Sequence, residues 1–411
     1  MIRHLWVRIH RYAGLIMTAF LIVVGLTGSL LAFLPELNRL LTPQLFRTPK
    51  AEVALKAADL IESALALYPN AQFNAVNLST DGTAIIIINP GLNPADGKTY
   101  QPNFNQLFLD PYNGLELGRR MVGDWPDGLD NLMPFIYKLH YALALGETGT
   151  WILGAVAVVW TIDCFIGLYL TLPARQGKLN ISVPIIQRKA YWQRWLPAWK
   201  IRWKANSCKL NFDLHRAGGL WVWLALLVFA WSSVMFNMKS VYMPVTAMVF
   251  DYPNPKSIWG LPKLEKPLQQ PKIDWRQAQE ITERLLAEHA QLHHFSVKEP
   301  VSLNLNRALG FYAYWVRSSL DVSGVGKGGN TVIAIDANTG EFKGLHLPSG
   351  QHSGHTVTNW LVMLHMGRVF GLPYRIFICV LGLMIVMLSV TGVIIWLRKR
   401  RAYKLKASVK R

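Results

Sequence analysis

Apolar residues gather into four long runs, residues 12–34, 150–172, 217–238 and 376–397, each nearly free of charge. A helix needs about 20 apolar residues to cross roughly 30 Å of hydrocarbon, so each run predicts a membrane span. Only the second holds a charged residue, Asp163. The first run is too long for the apolar segment of a secretion signal. It leads into Leu34-Pro35-Glu36 rather than a small-residue cleavage site, so it reads as an uncleaved helix. Between the runs the pattern changes. Residues 51–68 and 274–292 repeat apolar positions at helical spacing. Strand-like stretches follow at 83–89 and 105–109, then at 296–305, 311–316 and 331–335. Asp110 to Gly114 and Asp336 to Gly340 each close an apolar strand with an Asp-x-x-x-Gly turn. Gly supplies the positive φ there and Asp bonds the turn backbone. The proline-rich residues 242–273 predict an extended connector.

This order of elements occurs twice. The first span of each half follows a His-Arg pair, His10-Arg11 and His215-Arg216, and a histidine precedes the second, His140 and His365. Asp110 and Asp336 lie 226 positions apart, as do Gly114 and Gly340, and His140 and His365 lie 225 apart. Duplicated halves related by an axis along the membrane normal give such offsets. The expected fold is an integral membrane α-helical protein with four transmembrane helices. They form two tandem span–outer domain–span repeats carrying two α+β outer domains. Its segments are a tail and first span (1–34), outer domain one (35–131), the His140 helix and second span (132–173) and a basic loop (174–210). Then come the third span (211–239), the connector (240–273), outer domain two (274–356), the His365 helix and fourth span (357–397) and a basic tail (398–411).

Charge orients this arrangement. Charged residues make up 16% of the chain, against about 25% in soluble domains, yet the net charge is +19. Residues 1–11 hold three Lys/Arg, residues 174–210 nine and residues 398–411 eight, with no Asp or Glu. The remainder carries 23 basic and 24 acidic residues, so the whole excess sits in segments that four spans place on one side. That is the positive-inside pattern, and it predicts cytoplasmic termini. Anionic lipid, not nucleic acid, is the expected partner of this charge. The aromatic run Tyr191, Trp192, Trp195, Trp199 and Trp203 among basic residues fits an interfacial helix on the cytoplasmic face. Cys164, Cys208 and Cys379 form no disulfide framework outside the membrane, and no C-x-x-C-H exists for covalent haem attachment. The glycine run 324–329 lacks the Ser/Thr and spacing of a phosphate loop and reads as a turn.

Several motifs now converge. His-Arg-x-x-Gly at a span start, Gly25-Leu26-Thr27-Gly28, the Asp-x-x-x-Gly hairpins and the stretch from Thr391-Gly392 to Arg398-Lys399 resemble the PepSY-associated transmembrane proteins. The resemblance covers essentially the whole chain. It implies PepSY-like periplasmic domains and a bacterial inner-membrane location. It also implies kinship with iron-regulated proteins that include di-haem ferric-siderophore reductases. Asp163-Cys164 inside the second span and Tyr141 after His140 depart from the family pattern.

Four histidines stand at four span ends. Topology puts His10 and His215 at the cytoplasmic end and His140 and His365 at the outer end. His10 and His140 are separated by the membrane and cannot share an iron. Pairing at matching levels gives His10 with His215 and His140 with His365, and two imidazoles per iron suit a bis-His b-type haem. Two such haems would form an electron path across the bilayer; the resemblance implies a ferric siderophore in the periplasm as the acceptor, with quinol or a separate reductase as donor. Enzyme status rests on this redox step alone, as a ferric-siderophore reductase. Arg11 and Arg216 are placed either against haem propionates or as ordinary positive-inside residues. Gly14, Gly28, Gly154, Gly218, Gly219 and Gly392 allow either a macrocycle or a neighbouring helix to approach. Asp163 reads as a proton-handling group or as the occupant of a polar niche. His289, His293, His294, His352 and His355 read first as a polar surface and second as contacts to a metal or chelate. Two readings of other classes stand beside electron transfer: a haem-free regulator of a periplasmic partner, and metal or haem transport.

Overall fold

A computed structural model describes residues 2–46, 53–78, 82–92, 99–100, 102–122, 128–174, 190–252, 258–322 and 329–408. In chain order the elements are α1 (Ile2–Leu31), α2 (Leu34–Leu41), α3 (Ala57–Leu67), β1 (Gln72–Leu78), β2 (Ala84–Asn89), β3 (Gly91–Leu92), β4 (Thr99–Tyr100), β5 (Gln106–Leu109) and β6 (Glu116–Arg120). Next are α4 (Leu132–Ala142), α5 (Gly146–Thr171), α6 (Tyr191–Trp195), α7 (Ser207–Trp221), α8 (Trp223–Asn237) and α9 (Lys239–Ala247). The last are α10 (Trp275–Leu292), β7 (Val297–Asn306), β8 (Phe311–Ser318), β9 (Thr331–Asp336), β10 (Phe342–His346), α11 (Ser353–His365) and α12 (Gly371–Ser408). They form two units. The first comprises residues 1–32, 137–243 and 375–411, and the second residues 33–136 and 244–374.

The first unit is helical. Arg3–Leu31, Gly146–Thr171 and Gly371–Leu405 are each long and apolar enough to cross a membrane. The third expected span differs from a straight 217–238 helix. Here α7 and α8 meet at a bend of 69°, so there are four crossings only if the bent pair counts as one. The break falls at Val222, whose φ of −113° and ψ of 11° leave the helical region. Gly218 and Gly219 stand just before it and hold a helix weakly. Fifteen residues of α8 span only about 22 Å, so α8 alone is short for a crossing. Met17, Leu21, Cys164, Leu226, Ala230, Leu381 and Ile385 form the buried centre of the unit. Small residues bring α1 and α12 together. A Cβ on Gly25 would lie 2.8 Å from the Gly382 carbonyl oxygen, and Ser29 Oγ donates to Cys379 O at 2.9 Å.

The second unit holds an antiparallel eight-stranded sheet in the order β10-β9-β8-β7-β1-β2-β5-β6, with β3 and β4 paired apart from it. The outer segments, read from sequence as two α+β domains, thus share one sheet, joined where β1 pairs with β7. At the join Val76 faces Leu303, 227 positions on, close to the repeat offset. A pseudo-twofold axis between β1 and β7 explains the mirrored strand order. One core serves both halves, with Leu60, Ile61, Ile86 and Leu107 from the first and Leu286, Leu303, Tyr312 and Ile333 from the second. The helix before each set of strands is α3 or α10. Asp274 caps α10 by accepting from Gln277 N at 2.8 Å.

Both expected turns form. Gly114 N donates to Asp110 O at 2.9 Å with φ +73°, and Gly340 N to Asp336 O at 3.0 Å with φ +74°. Each aspartate also accepts from the backbone two residues on, Tyr112 N at 2.8 Å and Asn338 N at 2.8 Å. The expected connector opens instead with α9, which contains Pro244. Of the glycine run, residues 324–328 lie outside the described residues, as do 175–189 of the basic loop.

Candidate functional site

His10 sits two turns into α1 and His215 two turns into α7. Their ring centroids are 6.1 Å apart and the planes are tilted by 59°. The His-Arg pair that each of them opens at a span start, on the same side of the membrane, predicts this pair, and the fold of the first unit brings it together. Each ring has one nitrogen committed. His10 Nδ1 lies 2.9 Å from Asp163 Oδ1 on α5. His215 Nδ1 lies 3.0 Å from the Leu388 carbonyl oxygen and 3.2 Å from Thr391 Oγ1 on α12. The Thr391 hydroxyl already donates to Met387 O at 2.7 Å, so it accepts from the imidazole. Carboxylate, carbonyl and occupied hydroxyl are all acceptors, which places the proton on Nδ1 of both rings. The lone pair on Nε2 is left for a ligand.

His140, near the end of α4, is prepared in the same way. Its Nδ1 lies 3.0 Å from Thr27 Oγ1 on α1, and that hydroxyl donates to Val23 O at 2.7 Å. A glycine backs each ring. An added Cβ would meet His140 Cε1 at 3.1 Å from Gly28, His215 Cε1 at 3.3 Å from Gly392 and His10 Cε1 at 3.5 Å from Gly167. Thr27-Gly28 and Thr391-Gly392 are therefore one device used twice: the hydroxyl orients an imidazole and the missing side chain makes room for it. At Gly14, one turn beyond His10, a Cβ would meet nothing within 4 Å. Gly218 and Gly154 pack instead on Met387 and Met238.

His365 ends α11 in the second unit, whereas His140 belongs to the first. The two are alike locally. Each ends a short helix, and each is followed by a glycine that opens the next long helix, Gly146 with φ +61° and Gly371 with φ +63°. These glycines too are 225 positions apart.

The two arginines differ from each other. Arg216 Nη2 donates to Asp213 Oδ1 at 3.1 Å and Pro197 O at 2.8 Å, which commits this guanidinium within the chain. Asp213, fully buried, is gripped by Arg202 through Nε at 2.6 Å and Nη2 at 2.9 Å. Arg11 makes no hydrogen bond or ion pair among the described residues. The aromatic run forms α6 and a following turn, with Trp192 and Trp203 exposed and Trp195 Nε1 donating to Thr171 Oγ1 at 3.2 Å.

In the second unit His289 stacks on His293 and on Phe342, and His294 takes a positive φ. His352 Nδ1 lies 2.7 Å from Asp251 Oδ2. His346, not singled out from sequence, lies 4.7 Å from His355 between ring centroids. Burial first, then the neighbouring His355, lowers the His346 pKa to about 4. Among the described residues no three His, Cys, Asp or Glu are grouped to hold a bare metal ion.

A haem asks for less, because the porphyrin supplies four nitrogens and the chain only two. Two imidazoles that held one iron between them would need ring centroids roughly 6 Å apart. The His10–His215 spacing and the protonated Nδ1 atoms fit that requirement. Sequence reasoning passed over Thr27, Thr391 and Gly167 as partners of these rings. The signal was present, since Gly167 and Gly392 are 225 positions apart. No curated protein matches the chain. The model of a family described as the PepSY-associated TM region matches residues 7–399, and the chain belongs to that family of membrane proteins.

Proposed function

We propose that this protein carries electrons across the bacterial inner membrane through two b-type haems and reduces a ferric siderophore in the periplasm, releasing Fe(II). The observation that carries the reading is the His10–His215 pair, 6.1 Å apart with each Nδ1 engaged. When bound, haem supplies reversible one-electron exchange between Fe(III) and Fe(II). His10 and His215 hold the cytoplasmic-side group through Nε2, while Asp163, Leu388 and Thr391 keep both rings oriented. Thr27 does the same for His140. The assignment of His365 as its partner follows from the 225-residue repeat in the sequence. The excess of Lys/Arg in the termini and the 174–210 loop supports a cytoplasmic position for these segments. No nicotinamide-binding fingerprint is present, so quinol or a separate reductase supplies the electron. Hard oxygen ligands of a siderophore grip Fe(III) far more firmly than Fe(II), so one electron loosens the chelate.

A reduced-minus-oxidised spectrum of the detergent-purified chain, with a pyridine haemochrome assay, tests this. A b-type spectrum with about two haems per chain is expected from two bis-His pairs. A colourless protein that takes up no haem sinks the reading and leaves a haem-free regulator of a periplasmic partner as the better account.

A further inference from the structure

Asp163 is the only charged residue in the four apolar runs. It is 8% exposed, and among the described residues His10 is its only ion-pair partner. A carboxylate inside a span is costly, so its place calls for a return. The repeat shows what it replaces. Gly167 and Gly392 back His10 and His215, and 225 positions separate them. The same offset carries Asp163 to Leu388, whose carbonyl oxygen receives His215 Nδ1 at 3.0 Å. The two halves thus build similar cradles that differ in their acceptors: a carboxylate accepts from His10 where a neutral carbonyl and the Thr391 hydroxyl accept from His215. His140 also has a neutral acceptor, Thr27 Oγ1.

A carboxylate bonded to the far nitrogen of a ligating imidazole makes that ring a more basic ligand. Stronger donation favours Fe(III) over Fe(II), and hydrogen bonding around the ligands is one of the levers that set haem potentials. We infer that Asp163 is a positioning residue which, through His10, holds the cytoplasmic-side haem at a lower potential than neutral acceptors alone set. This rests on the electron-transfer reading above. It gives that reading a direction, because a low potential at the entry end makes the passage toward the His140 end downhill.

The test is a dithionite–ferricyanide potentiometric titration of the full-length haem-loaded protein, followed by visible absorption, with electron paramagnetic resonance of the ferric state. Asp163→Asn keeps the acceptor and removes the charge. It is expected to retain both haems, to move the lower of the two potentials upward by about tenfold in the ferric-to-ferrous ratio, about 59 mV for one electron, and to change the g-anisotropy of that haem. Leu388→Asp, beside an intact Asp163, is expected to drive the lower potential down. This second variant decides the matter where Asp163→Asn sheds haem. Two loaded variants with both potentials and spectra unmoved overturn the inference while leaving electron transfer standing. Wild-type protein without haem overturns electron transfer itself.

Discussion

The two halves of the chain are near copies in the sheet and divergent in the helices. Asp110 and Asp336 make the same turn with the same bonds, Gly114 and Gly340 share one φ, and the strands on either side follow in the same order. In the helical unit α1 runs unbroken for 30 residues, whereas its counterpart is split at Val222 into α7 and α8. The carboxylate beside His10 has become a backbone carbonyl beside His215. A strand register tolerates little drift, because a slip of one residue turns a core face to water. A helix in a bundle can bend or exchange a buried partner while its neighbours keep it satisfied. Divergence has therefore collected in the helices, around the candidate histidines.

The hardest test of this contrast is removal of a ring. His10→Ala or His215→Ala is expected to abolish the cytoplasmic-side haem and cut haem per chain by about half, as the haemochrome assay measures. His140→Ala should remove the other haem and leave that one in place. Next come the turns, where copies alike in backbone differ in their surroundings. A Cβ at Gly114 would lie 2.4 Å from Ser63 Oγ, whereas at Gly340 the nearest atom is Ile281 Cδ1 at 3.0 Å. Both alanines are strained at positive φ. Gly114→Ala should cost about 3 kcal/mol and Gly340→Ala about 2 kcal/mol, read as unequal drops in Tm of the full chain.

Acid should separate the halves as well. His346, in the second half, has its pKa lowered to about 4 by burial and by His355, against 6.5 when unfolded. A depressed folded pKa means that its contribution is complete above about pH 6.5 and is lost as pH falls toward 4. The loss is at most about 3 kcal/mol, and His346→Gln should flatten that part of the stability–pH curve. The smallest effect belongs to Arg276, which joins the halves by pairing with Asp59 at 2.7 Å and Glu62 at 2.7 Å. Its replacement by alanine should lower Tm slightly, and added salt should erase the difference.

Much of this was legible in the residues. Apolar length alone located α1, α5 and α12, and the strands fell within a residue or two of 83–89, 105–109, 296–305, 311–316 and 331–335. Local rules govern such features. The bend at Val222 was hidden because the run 217–238 is apolar on both sides of it, and hydropathy does not register a break. β1 was missed because Gln72, Asn74 and Asn77 interrupt its alternation and a bulge between Phe73 and Ala75 shifts its register. The single sheet was invisible because β1 pairs with a strand in the other half. For the site, positions at the span ends supplied His10, His215 and His140, while their acceptors needed three dimensions. Asp163 stood out by its charge, and only contact with His10 gave it a partner.

The β1–β7 seam governs how the molecule is made. Asn77 meets Ser302, so some 225 residues must be synthesised after β1 before its partner exists. At 5–20 residues per second that is roughly 10–45 s during which one edge of β1 stays open. Within that interval α5, apolar and long enough to cross a membrane, is also made. An open edge invites pairing with any extended chain nearby. Until its own second half arrives, the nascent first half must therefore be kept from pairing with other extended chains.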